Sequence, residues 1–519
     1  MVKYLDNNSG FNNWSAMQSQ QKKQSKSIGF WGWLILFLLA WWIMGLFIQP
    51  KNQQAQPQQP IAIETSQLES KKLDSEKISM DVRGLRISNI ELKDYHKSSD
   101  TLDAVSLLDG DNNFIEIGLL SADTQTPNIN TAWNVKENNM VWKNNARVSF
   151  DRGISVQDYV IKISDTITNN SKNEISVSPY VRMVSGATNV KSAAVETGGV
   201  VYANSDLNYA NWMKLNKKSY AYSTVRGSLG FADQYWETIA SVDANDQTIS
   251  LKKNGDLYFA DTAVAPVKIG AGDSVTIDTY IFAGPRIGKI LDAASDNIPG
   301  ISKTMDYGWF WFFAQPMLWM INWLFALVGN YGIAIILMTL ILRLLIWPLT
   351  RKSYATTMAM QKMQPEMQRV QKLYANDKAR LQMEMMKIYQ THKTSPMSGC
   401  LPMLIQIPIF FALYKALLIS VPMRTAHFLW ISDLAAMDPY FILPIIMGAT
   451  MWLQQYLQSP KTSNANKNDV MASTQRAMKW MPVLFTVMFA WMPAGLVLYW
   501  TVSNIFSIFQ MYIIKKTTK

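Results

Sequence analysis

One permanently charged side chain lies inside an apolar run: Arg343, in LILRLLIWPLT at residues 340–350. A guanidinium near a helix centre costs roughly 2.5–3.5 kcal/mol to place in a bilayer, so it is kept only with a partner, water or a use. No internal counter-ion is at hand. Beyond Asp306 the acids are Glu366, Asp377, Glu384, Asp433, Asp438 and Asp469, all in loops between the apolar runs. Two readings stay open. The side chain could snorkel to the head groups, since Leu349 is about 9 Å further along a helix. Alternatively it faces a water-filled recess, with Thr339 one turn away on the same face and Gln406, Ser503 and Asn504 contributed by other apolar segments. Such a recess, open to cytoplasmic water and carrying an unpaired positive charge, suits an anionic guest. Lys415, the other charged residue in an apolar segment, is expected to snorkel outward.

Little else in the chain has the spacing of a chemical site. The three histidines, His96, His392 and His427, are far apart, and Cys400 is the single cysteine, which excludes an intrachain disulfide and makes a structural metal site improbable. Residues 60–300 contain no G-x-S-x-G, H-E-x-x-H or P-loop pattern. A carbohydrate-binding or partner-docking surface and a plain scaffold fit them equally, and carboxylates paired only by folding remain open.

The elements that must position Arg343 are legible from hydropathy. Residues 60–300 hold 24 basic and 30 acidic side chains, leaving 25 basic and 8 acidic elsewhere, so the basic surplus lies in loops flanking apolar spans. The expected class is a polytopic α-helical membrane protein of six transmembrane helices, with a large periplasmic β-sandwich. A cytoplasmic N-terminus (1–27) precedes an uncleaved anchor (28–48), 21 residues without a charge and longer than a signal peptide's apolar core. A Gln/Pro-rich linker (49–60) leads to the β domain (61–300), where ARVSFDRG, DYVIKISDTI and SVTIDTYIF alternate with period two and KKNGD marks a turn at Asn254 and Gly255. Residues 309–330, aromatic-rich and interrupted by Pro316, favour a helix at the membrane interface. Spans are expected at 331–349, 401–421 and 440–457, and 480–514 should form a two-helix hairpin broken at MPAG.

Loop charge sets the orientation. Residues 351–395 carry nine Lys/Arg against Glu366, Asp377 and Glu384, residues 458–479 are also basic, and the tail 515–519 reads KKTTK. The positive-inside rule therefore puts both termini in the cytoplasm. Residues 350–400 read as a basic helical hairpin rich in Met, whose Arg351, Lys352, Lys362, Arg369, Lys372, Lys378, Arg380 and Lys387 could meet anionic lipid or ribosomal RNA. Seven Met between 358 and 386 could take varied apolar partners or simply pack the hairpin on itself.

Four stretches, LRLLIWPLT (342–350), GCLPMLIQIPIFFALY (399–414), LWISDLAAMDPYFILPIIMGATM (429–451) and GLVLYWTVSN (495–504), occur in an order that closely resembles the YidC/Oxa/Albino family of membrane protein insertases. The likeness covers residues 307–514, and the first anchor and large β domain resemble the Gram-negative form by position and type. It implies a hydrophilic groove, open to cytoplasm and lipid and closed toward the periplasm, through which inner-membrane proteins are inserted and helped to fold without chemical catalysis. Thr339 and Arg343 match the groove face of the second span, and Tyr499 with Trp500 match an aromatic pair in the last. Trp500 departs from the Tyr-Tyr form, which puts a hydroxyl role there in doubt. The implied partners are nascent membrane proteins, the Sec translocon with its accessory subunits, and the ribosome or signal recognition pathway through the basic loops. No cofactor is implied. Two other classes stay on the table: a transporter of small anions, which predicts internal repeats that the sequence does not show, and an anchored sugar-processing enzyme of the periplasm.

Overall fold

The computed structural model describes residues 68–97, 101–136, 139–186, 197–374, 377–392, 401–458 and 470–517. The expected cytoplasmic N-terminus, anchor, linker and Cys400 lie outside these residues.

Alternation builds the first half. Val160–Asn169 buries every second side chain, and Ile175–Ser185 does so for most of its length, which places one face of each strand against a core. All strand pairs are antiparallel. One ten-stranded sheet runs through Lys71–Asp74, Ile78–Arg83, Arg86–His96, Phe114–Leu120, Ile175–Ser185, Leu257–Val264, Gln247–Asn254 and Tyr220–Thr224, with Ala104–Leu107 and Val267–Ile269 attached to its third and fifth strands. A nine-stranded sheet runs through Asp206–Asn211, Gly198–Ala203, Ser228–Ala232, Trp236–Val242, Ser274–Pro285, Val160–Asn169, Val148–Gln157, Asn139–Lys143 and Asn134–Lys136. Both sheets contribute to one apolar cluster, as a β-sandwich requires. The expected turn is present: Asn254 pairs with Leu257 and Gly255 takes φ +60°, a conformation only glycine adopts freely. A buried bidentate pair ties the sheets together. Arg152 donates to both carboxylate oxygens of Asp165 at 2.7 and 2.8 Å and to the Ile117 carbonyl of the facing sheet at 3.0 Å.

The second half is helical. The helices are α1 (Trp311–Val328), α2 (Tyr331–Leu345), α3 (Trp347–Leu373), α4 (Lys378–Thr391), α5 (Leu401–Ile419), α6 (Ile442–Gln458), α7 (Val470–Phe489) and α8 (Ala494–Thr517). Two of these, α1 and α8, are each long and apolar enough to cross a membrane, and α2 with α3 would make a third broken by a 63° bend. The chain therefore has a helical membrane part, while the count of six crossings is not fixed by the described residues.

Several boundaries differ from expectation. The second span stops at Leu345 instead of Leu349, because Pro348 sits in the first turn of α3, where it has no N–H for the Leu344 carbonyl and its ring crowds that turn. Residues 470–479, expected as loop, already belong to α7, and α8 continues through the basic tail to Thr517. Pro316 lies inside α1 without ending it.

The two halves meet through specific bonds. Leu418 and Ile419 at the end of α5, and Val421 just past it, join the apolar cluster of the sandwich. Gln234 donates to the Leu418 carbonyl at 2.9 Å. Arg424 donates to the carbonyls of His96 (3.0 Å) and Lys97 and lies 5.9 and 5.7 Å from the Tyr235 and Trp236 rings. Lys415 does not snorkel freely: it forms an ion pair with Asp306, in the segment leading to α1.

That segment is locked by a buried polar cluster. Arg286 donates to the carbonyls of Asp233 (2.8 Å) and Thr304, and lies 3.5 Å from the Glu237 carboxylate, which also accepts from the Thr304 hydroxyl at 2.9 Å. Burial pushes the Glu237 carboxyl up to about 7, with Arg286 and Thr304 pulling the other way. A raised carboxyl pKa holds a proton in the folded state that the unfolded chain has released, so its contribution to stability is full below about 4.5 and is lost as pH rises to about 7. The stability of the sandwich against thermal unfolding should therefore fall as pH rises through this window, by up to about 3 kcal/mol. Glu237→Gln should flatten that slope; an unchanged slope in the variant would show that Glu237 does not carry it.

Candidate functional site

Arg343 occupies the last turn of α2, because the proline break ends the helix two residues later. There the helix's terminal carbonyls favour a cation by about 0.3–1 kcal/mol. The guanidinium is half-buried between three helices. Its Nε donates to Ser503 Oγ of α8 at 3.2 Å, and one terminal nitrogen donates to Gln406 Oε1 of α5 at 3.4 Å. Gln406 in turn donates to the Tyr499 hydroxyl at 2.7 Å. These two bonds use two of the five N–H groups of the arginine, and among the described residues it has no carboxylate partner. The positive charge is positioned by neutral dipoles and left uncompensated.

Four expected residues, Arg343, Gln406, Tyr499 and Ser503, thus come together. Three do not join them. Thr339 is fully buried and spends its hydroxyl on the Ile335 carbonyl, 2.6 Å away in its own helix. Asn504 turns to α6, where its amide donates to Thr450 Oγ1 at 3.2 Å and reaches the Met447 carbonyl at 3.5 Å. Trp500 faces an aromatic cluster, with ring centroids 5.5, 6.0 and 5.1 Å from Phe410, Phe485 and Phe489. Its lack of a hydroxyl is therefore immaterial where it sits.

The sequence reading missed a continuation of the polar face. Tyr499, Ser503, Ser507 and Gln510 recur at helical spacing along α8, and all are nearly inaccessible. Gln510 donates to Thr350 of α3 at 2.5 Å, and Ser353 on the same helix is also buried. The spacing of four, four and three was available in the sequence as a polar stripe on an otherwise apolar helix. On the other side of Arg343 the filling is apolar: Ile335 and Met338 of α2, Leu413 and Leu417 of α5, and Leu496 and Val497 of α8 form one buried cluster. Polar groups line one direction and a hydrocarbon plug closes the other.

Around this centre the bundle exposes large apolar side chains, among them Ile445 and Trp452 of α6, Val483 and Val487 of α7, and Ile505 and Phe509 of α8. A water-soluble protein rarely exposes such contiguous apolar surface, whereas hydrocarbon accommodates it.

Two family matches together cover most of the chain, meeting within α1. Residues 69–320 match the YidC periplasmic domain, and residues 323–519 match the 60Kd inner membrane protein family. The membrane protein insertase YidC of Rickettsia prowazekii is 33% identical over 521 residues, covering 89% of this chain and 90% of that protein. The chain belongs to the YidC family of membrane protein insertases. The YidC insertase of Magnetococcus marinus is 36% identical over 413 residues, 76% of this chain and 72% of that one. A crystal structure of an active YidC insertase with its first transmembrane domain resolved is 20% identical, with TM-score 0.38, over 86% of this chain and 94% of that one. The family is one of insertases and not of enzymes, so the sugar-processing and transporter classes fall away, and the sandwich is its periplasmic domain.

The basic hairpin is antiparallel, with α3 packed on α4. Arg351, Lys352, Lys362, Arg369, Lys372, Arg380 and Lys387 are all exposed, and the side chain of Lys378 lies outside the described residues. The methionines divide: Met363 and Met367 are buried within the hairpin beside exposed Met383 and Met386. His392 contacts Glu366 across it at 3.2 Å.

The bridging role of Gln406 has a measurable consequence. Tyr499→Phe removes the acceptor of the Gln406 amide and should destabilise the helical part by about 1–3 kcal/mol, the cost of an unpaired buried donor. Gln406→Leu should cost a similar amount by stripping Arg343 of one acceptor. Melting of the purified chain in detergent reads both, and a double variant costing far less than the sum would place the two residues in one network.

Proposed function

We propose that this chain inserts inner-membrane proteins and helps them fold, alone or beside the Sec translocon, by receiving a polar, often acidic, substrate segment next to Arg343. The observation that carries the reading is the guanidinium held only by Ser503 and Gln406, with a polar face on one side and an apolar plug on the other. A charge satisfied by a carboxylate would offer little to an incoming anion. This one retains its field and spare donors, in surroundings where a charge–charge interaction exceeds its value in bulk water.

In this proposal six transmembrane helices place both termini in the cytoplasm of a bacterial inner membrane, with 309–330 lying at the outer interface. The substrate's polar segment enters from the cytoplasmic side, and its apolar helix leaves sideways along α5 and α7 into lipid. The hydroxyl and amide groups of the polar face stand in for water and lower the desolvation barrier that bare hydrocarbon would impose. Arg343 supplies the electrostatic dock, Gln406, Tyr499 and Ser503 hold it in place, and no covalent step is involved. The exposed basic side chains of the α3–α4 hairpin would meet the ribosome, the signal recognition pathway and anionic lipid.

Purified protein in liposomes tests the dock by protease protection of a single-span substrate with an acidic translocated tail. Wild type should insert it above empty liposomes, and Arg343→Ala should slow insertion about tenfold, equivalent to about 1.4 kcal/mol of barrier. Arg343→Lys should recover part of the loss. Equal rates for wild type and Arg343→Ala would transfer the barrier reduction to the neutral polar groups alone. The hairpin is tested separately: reversing Lys362, Arg369 and Lys372 to Glu should weaken co-sedimentation with ribosomes at least tenfold and flatten its salt dependence. Unaltered co-sedimentation would remove the hairpin from ribosome binding.

A further inference from the structure

Where the sandwich gives way to α1, the surface opens into a cavity of about 360 Å³ that the insertion reading leaves unused. At about 30 Å³ per water this is roughly a dozen water volumes, ample for a phosphate ester and its hydration. Its polar wall includes Lys303, Asp306 and Gln315, and its apolar wall includes Leu207, Met305 and Trp311.

The charges are unequal. Asp306 is committed, paired with Lys415 and accepting the Gly308 N–H at 2.8 Å. Lys303 is fixed without being neutralised: its ammonium donates to the Ser205 carbonyl at 3.1 Å and lies 5.1 Å from the centre of the Tyr202 ring. The wall therefore keeps a net positive charge. The 18-residue α1 also begins here, its first residue Trp311 lining the cavity and no side chain capping its N-terminus. That end carries the positive pole of the helix and favours an anion.

Next to this polar recess lies an apolar apron. Trp309 and Trp311 are 87% and 58% exposed, and Phe312 and Phe313 follow at 51% and 43%. Aromatic side chains at this density settle at the head-group level of a bilayer. A cavity suited to an anion and an adjoining surface suited to acyl chains meet the two ends of one molecule.

We propose that this cavity binds the phosphate head group of a phospholipid from the adjacent leaflet, with its acyl chains lying along the aromatic flank of α1. The lipid would fasten the junction between sandwich and helices to the membrane surface. The inference rests on α1 lying at that surface and is independent of how substrates are inserted.

The test is photocrosslinking from Leu207→benzoylphenylalanine in the full chain, reconstituted in vesicles of phosphatidylethanolamine and phosphatidylglycerol, with adducts identified by mass spectrometry. A phospholipid adduct is expected. It should fall about fivefold or more with Lys303→Glu and by less with Lys303→Gln, and should be unchanged by reversal of the distant, exposed Lys268. Excess inorganic phosphate should not compete. Melting and elution of each variant report folding, and the Gln variant keeps the test valid if the Glu variant fails to fold. Three results would overturn the proposal: no lipid adduct from position 207 when the same probe at exposed Trp319 yields one, equal adducts from wild type and both Lys303 variants, or displacement by inorganic phosphate, which would indicate a soluble anion. Substrate insertion measured in the same vesicles keeps failure here distinct from failure of the insertase reading.

Discussion

The helical half is organised around a positive charge that has not been cancelled. Elsewhere this chain buries arginines beside acids: Arg152 is bidentate on Asp165, and Arg286 lies against Glu237. Arg343 is different in kind. It is given a hydroxyl, an amide oxygen and the carbonyl end of a short helix, which together fix the guanidinium without neutralising it. That arrangement requires α2 to stop where it does. If the helix ran on through Pro348, Arg343 would lose its terminal turn and α3 could not swing away at 63° into the basic hairpin. A proline three residues past the helix end is thus a condition for the electrostatics and for the course of the chain.

The same half depends on a fixed joint to the sandwich. Arg424, Gln234 and the Lys415–Asp306 pair all act at the end of the bundle away from the α3–α4 hairpin, where the apolar plug lies. The Gln234 and Lys415 bonds are partly buried and resist local opening more than the exposed bonds of Arg424 beside them. Asp438 adds to this rigidity: it accepts from the Trp430 indole and from the amides of Tyr440 and Leu443, fastening the loop that leads into α6. These loop acids, which by charge alone look like topology signals, are hydrogen-bond acceptors for otherwise orphaned donors.

Much of this was legible in the sequence, for identifiable reasons. Period-two alternation located the sandwich strands because one face of each is buried, and the isolated charge at Arg343 stood out against its neighbours. Gln406 and Ser503 could be nominated because polar groups within apolar runs need partners, and Tyr499 came only from the family resemblance. Asn504 and Thr339 satisfied the same criterion and found their partners elsewhere, in the Thr450 hydroxyl and in a carbonyl of the residue's own helix. Composition shows that a polar side chain needs a partner, and only the azimuth around the helix shows which. The α8 stripe could have been read from its spacing, but the Lys415–Asp306 pair could not, since 109 residues separate its members. The buried network of Glu237, Arg286 and Thr304 was invisible for the same reason.

Under the proposed function, the weak fastening of Arg343 also bears on how the site would release what it received. Bonds of 3.2 and 3.4 Å to neutral acceptors are long and modest, so exchanging them for a substrate carboxylate costs little. A resident carboxylate would have to be displaced first, at the several kcal/mol that breaking a buried ion pair entails. A fully apolar site, by contrast, would leave the arriving anion without a partner. Neutral dipoles lie between these extremes. In the proposed insertion cycle they would carry the desolvation burden of the arginine while the site is empty, and would take the arginine back once the guest moved on into lipid.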